Sequence, residues 1–147
     1  MSTIQEVAGQ YDVDMSEVVI TGYSLGAQAG WELLNENPDT FAGAVLMSGW
    51  TDIDPSNFTS TPVYATAGST EGGYGGGYTG KMNELAESIN AAGGNAYYTD
   101  YVDGETGNDH TGHYDTPNLL NEDGTWDIIS KMQNGENVDF EGNGSNN

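Results

Sequence analysis

A chain of 147 residues is long enough for one domain with its own core. With 23 acidic side chains against two lysines and no arginine, its formal charge is −21, which argues against nucleic-acid binding and attraction to anionic membranes. The absence of cysteine excludes a disulfide framework and a thiolate metal site.

No run of residues is apolar for long enough to span a membrane. The opening Met1-Ser2-Thr3-Ile4-Gln5-Glu6 lacks the basic start and apolar stretch of a signal peptide. The expected location is therefore cytoplasmic by default, or secreted if the chain is a fragment of a longer protein. Without arginine the chain has no planar clamp for a carboxylate or phosphate. Neutral or cationic small molecules are the expected substrates, and a heavily hydrated acidic surface also serves solubility.

In chain order, Ser2 to Tyr11 reads as a short helix, with Ile4, Val7 and Ala8 at helical spacing. Asp12 to Met15 is a turn, and Glu17 to Thr21 a strand with a Val-Val-Ile centre. Leu25 to Asn35 is a helix that Pro38-Asp39 ends. Ala42 to Met47 is a strand apolar on both faces, the mark of a parallel sheet covered by helices. Pro62 to Ala67 is a third strand. Gly68 to Gly80 is a glycine-rich loop, read either as a flap beside a site or as a slack connection. Gly80 to Ala92 is a helix with Met82, Leu85, Ala86 and Ile89 on one face, stopped by Gly93-Gly94. Asn95 to Val102 is a fourth strand, Asp103 to Pro117 a polar loop, and Gly124 to Met132 a last helix. Alternating strands and helices predict an α/β fold. It is expected to be a three-layer parallel sheet of about four strands flanked by helices. Residues 1–135 form one expected domain and 136–147 a flexible tail, frayed from Phe140.

The junction of the first strand and second helix carries the chemistry. Gly22-Tyr23-Ser24-Leu25-Gly26 matches G-x-S-x-G between a strand and a helix, the context of a nucleophile elbow. Such a turn is strained, so glycine is expected at both Gly22 and Gly26. It would present the Ser24 hydroxyl above the sheet and aim the helix N-terminus and the Leu25 N–H at an oxyanion. The plainer reading is a glycine-rich turn with an inert serine.

Residues 2 to 133 resemble the C-terminal half of an α/β-hydrolase. The resemblance is to the branch of polyhydroxybutyrate depolymerases, feruloyl esterases and predicted peptidases. It is carried by Tyr11-Asp12-Val13-Asp14 before the strand and by the elbow Gly22 to Ala27. Asn37-Pro38-Asp39-Thr40-Phe41-Ala42-Gly43-Ala44-Val45 and Ala91-Ala92-Gly93-Gly94-Asn95-Ala96 carry the rest. The resemblance implies a serine hydrolase with a Ser-acid-His order and no cofactor. In the family the acid follows the strand equivalent to Pro62–Ala67, often as His-Gly-x-x-Asp. Here the phrase is Ala67-Gly68-Ser69-Thr70-Glu71, so Glu71 is the candidate acid, departing from the pattern in being Glu and in lacking the leading His. Asp52 and Asp54 are reserve candidates. The catalytic histidine is expected from the loop after the last strand, and the only two histidines, His110 and His113, both lie there. His110 is nearer the strand end and is the preferred one. A metal site built on the pair is the rival reading, and it would need further ligands in fixed geometry.

The resemblance also implies strands and an oxyanion loop ahead of the elbow strand. Without them that strand, around 17–22, becomes a sheet edge open to a second copy of the chain or to an N-terminal half. A non-catalytic acidic remnant or binding module is the alternative function.

Overall fold

A computed structural model describes residues 1–71, 78–101 and 112–140. Helix α1 (Ser2–Tyr11) leads to β1 (Val19–Tyr23), α2 (Leu25–Glu36), β2 (Gly43–Met47) and β3 (Val63–Gly68). Then come α3 (Tyr78–Ala91), β4 (Ala96–Tyr101) and α4 (Asp123–Gln133). The four strands are all parallel and lie in chain order, β1-β2-β3-β4.

Alternation along the strands sorts the core into two layers. Ala44 and Leu46 of β2 and Val63, Ala65 and Ala67 of β3 meet Trp31 and Leu34 of α2 and Met82, Ala86 and Ile89 of α3. Val45 and Met47 of β2 and Tyr64 of β3 meet Ile128, Ile129 and Met132 of α4 on the opposite face. With helices on both faces, β2 and β3 are buried at every residue, which is why their sequences are apolar without alternation.

Three expectations shift. The first strand starts at Val19, two residues later than the expected Glu17. Asp14 accepts a hydrogen bond from the Ser16 N–H and caps a 3₁₀ turn over Met15–Glu17, which takes Glu17 out of the strand. Extended pairing then continues to Tyr23, opposite Met47, so the elbow begins where the strand stops. The polar stretches before β3 and α4 contain 3₁₀ turns, Pro55–Phe58 and Thr116–Asn121, each with proline in its first turn. The tail expected from residue 136 begins inside the core: Val138 and Phe140 are buried, and the Phe140 ring stacks on Tyr97 with centroids 5.8 Å apart. The Asn95 side-chain amide donates to the Val138 carbonyl at 3.0 Å. The glycine-rich run 72–77 and the loop 102–111 lie outside the described residues. Among the described residues no helix is long and apolar enough to cross a membrane.

If residues 138–140 belong to the core, Phe140→Ala should lower unfolding stability by about 3 kcal/mol, the usual cost of truncating a buried phenylalanine. Urea unfolding monitored by circular dichroism measures it.

Candidate active site

In a parallel sheet with chain-order strands, every strand points its carboxyl end to the same side. Ser24 follows β1, Ser48 follows β2, Glu71 lies just past β3, and His113 lies in the connection between β4 and α4. The fold therefore gathers residues far apart in sequence at one edge.

Ser24 sits at the junction of β1 and α2 with φ 57° and ψ −118°. A positive φ in a non-glycine residue costs on the order of 1 kcal/mol. Neighbouring bonds hold it: the Ser24 N–H donates to Met47 O at 2.9 Å, and the Ser24 carbonyl accepts from Ala27 and Gln28 at 3.0 and 3.1 Å. The Ser24 side chain makes no cap on its own helix. Its hydroxyl lies 3.0 Å from His113 Nε2 instead.

The two elbow glycines differ. A Cβ on Gly22 would fall onto the Gly26 carbonyl, deep inside van der Waals contact with backbone that cannot move aside. A Cβ on Gly26 would meet nothing within 4 Å, so crowding does not require glycine there, contrary to the sequence expectation. The second required glycine is Gly49, whose Cβ would fall on the Ser24 carbonyl. Its own carbonyl accepts from Trp31 Nε1 at 2.9 Å. Nothing in the sequence marked Gly49, because the segment it must fit against lies more than twenty positions earlier.

His113 Nδ1 is hydrogen-bonded to Glu71 Oε1. An ionised carboxylate only accepts, so the ring proton belongs on Nδ1 and Nε2 is left to accept from the Ser24 hydroxyl. The imidazole lies against Tyr23 (centroids 5.0 Å), is stacked by Tyr78 (5.6 Å) and meets the edge of Tyr114 (5.6 Å). Burial pushes the Tyr23 phenol above its ordinary range, and the nearby Glu71 charge adds to that, so the ring beside the imidazole stays neutral.

Glu71 is only 4% exposed. Its Oε2 accepts from the Ser48 hydroxyl at 2.6 Å and from the Gly68 N–H at 2.5 Å. Ser48 and Thr116 were invisible as site residues, since a serine and a threonine among many carry no motif. The structure thus brings together Ser24, Glu71 and His113, with Leu25 opening α2 directly after the serine. Leu25 is the first residue of α2, and the first N–H groups of a helix have no intrahelical acceptor. His110 lies outside the described residues, so the described ring against Ser24 is His113. Asp54 is spent on capping the 3₁₀ turn at Pro55, and its bonds from Ser56 hold its carboxyl below the usual range. Asp52 is exposed. Among the described residues no group of three His, Asp or Glu side chains is arranged to hold a metal ion.

A parallel sheet covered on both faces, with a serine on a strained strand-to-helix turn, is the architecture of the α/β-hydrolases. No family model matches the sequence, and no curated protein matches it significantly. Solved structures do share the fold. A thermostable esterase superposes with a TM-score of 0.73 at 21% identity, over 88% of this chain and 34% of its own. A Bacillus cereus carboxylesterase superposes with a TM-score of 0.53 at 23% identity, over 67% of this chain and 46% of its own. The chain has an α/β-hydrolase fold and spans less than half the length of either neighbour.

The contrast between the elbow glycines is testable. Gly22→Ala should destabilise by roughly 3 kcal/mol, as overpacking against rigid backbone does. Gly26→Ala, at an open helical position, should be neutral or stabilise by up to about 1 kcal/mol. Thermal unfolding of the two variants decides between this asymmetry and an equal need for both glycines.

Proposed function

We propose that this protein is a serine hydrolase that cleaves an ester or amide through an acyl-enzyme. The observation that carries the reading is the unbroken path from Ser24 Oγ through both nitrogens of His113 to the buried Glu71 carboxylate. Ser24 Oγ attacks the substrate carbonyl carbon while its proton passes to His113 Nε2. The carbonyl electron pair moves onto oxygen, where the Leu25 N–H donates to it; one such donor is worth about 3 kcal/mol. Glu71 keeps the Nδ1 proton in place and stabilises the imidazolium. The leaving alcohol or amine takes the proton from Nε2. Water then repeats the sequence and frees Ser24.

Chemical selectivity follows from charge. A chain carrying −21 with no arginine favours neutral or cationic acyl substrates over anionic ones. The esterase names of both structural neighbours favour an ester over an amide. Among the described strands β1 is paired on one side only. Its free edge suits a further strand, from a longer chain or a second copy.

A fluorophosphonate probe should label the protein, and Ser24→Ala should abolish labelling. Hydrolysis of p-nitrophenyl acetate should vanish in Ser24→Ala and His113→Ala but persist in His110→Asn. Glu71→Gln, which disturbs the imidazole tautomer, should lower kcat by on the order of 10⁴. A wild-type protein that takes up no probe would instead be a non-catalytic binding module.

A further inference from the structure

Ser48 is a residue the hydrolytic scheme leaves unused, yet its placement is demanding. It follows β2 directly, has no solvent exposure and adopts φ 55°. Glycine would take that backbone conformation without strain, whereas serine carries a penalty on the order of 1 kcal/mol. Something specific to a hydroxyl must offset it. The Ser48 hydroxyl lies 2.6 Å from Glu71 Oε2 and 2.7 Å from the hydroxyl of Thr116, itself without exposure. Thr116 Oγ1 in turn donates to the His113 carbonyl at 3.1 Å.

We propose that Ser48 is a positioning residue that orients the Glu71 carboxylate toward His113, and that Thr116 couples it to the His113 main chain. Its kinetic consequence rests on the hydrolase reading above. Glutamate has one more rotatable bond than aspartate, so its carboxylate needs more restraint to keep one oxygen on an imidazole. Glu71 receives that restraint on Oε2, from the Ser48 O–H and the Gly68 N–H, while Oε1 serves His113. The protons order themselves. Ionised Glu71 can only accept, so the Ser48 proton points to it. The single Thr116 proton then serves both the Ser48 oxygen and the His113 carbonyl. His113 is thereby held at its ring and at its backbone through one buried hydroxyl pair. Neither hydroxyl touches the Ser24 oxygen, so the role is positioning.

Ser48→Ala should lower kcat roughly tenfold or more, the effect of losing a hydrogen bond to a charged group, with KM little changed. The acid limb of the pH–rate profile should move to higher pH, because a carboxylate stripped of one donor favours the imidazolium. Ser48→Gly should show the same kinetic loss yet unfold at or above the temperature of Ser48→Ala, since it relieves the backbone. Thr116→Ser should retain function and Thr116→Val should lose it. A readout free of substrate is the downfield proton resonance of the His113 Nδ1–H···Oε1 bond. It should shift in both Ser48 variants and stay in Thr116→Ser. A resonance absent from wild type, or unmoved in both Ser48 variants, overturns the proposal whatever the kinetics. If the resonance shifts but wild-type protein takes up no fluorophosphonate, the hydrolase reading fails and the positioning role stands.

Discussion

Among the described residues, Glu71 is the one buried carboxylate, and most of the other described acids are exposed. A buried charge is tolerable only when donors surround it. Three do: the Ser48 hydroxyl after β2, the Gly68 N–H at the end of β3, and His113 Nδ1 from the connection beyond β4. The sheet must be assembled in its parallel order before those three donors can meet. The same carboxylate thus ties the strand ends together and sets the imidazole against Ser24.

The strain at this edge is matched by its surroundings. Ser24 and Ser48 both hold positive φ, one residue beyond β1 and one beyond β2. The Ser24 N–H reaches across to Met47 O, and the Ser48 N–H to Thr66 O, so each bend is pinned to the neighbouring strand. Gly22 and Gly49 provide the room the bends require. Strained backbone persists when the rest of the structure over-determines it, and here two core layers on opposite sheet faces do so.

The charge acts at a different level. Among the described residues most acids are exposed, and Lys81 pairs with Glu84 on the surface of α3, a contact of little worth. Net charge of this size bears on solubility and on encounters with other molecules in general, and it has no part in choosing the fold.

What the amino-acid sequence determined by itself was local. Apolar runs, helical spacing and Gly/Pro stops express backbone preference and burial over a few residues. They were enough for the order of elements, the parallel sheet and the G-x-S-x-G bend with Ser24, whereas Glu71 and the two histidines became candidates only through the resemblance to the α/β-hydrolases. Strand β1 slipped because the Asp14 cap competes with extension at Glu17, and a hydrophobic run does not register that competition. Tertiary structure alone decided the rest. It put His113 against Ser24 across 89 positions and against Glu71 across 42, gave Gly49 and Ser48 their tasks, freed Gly26 of one, and drew Phe140 into the core. Each of these depends on which distant segments share a strand edge or a sheet face. That information lies in the register of β-strands and the packing of layers, and no short stretch of chain contains it.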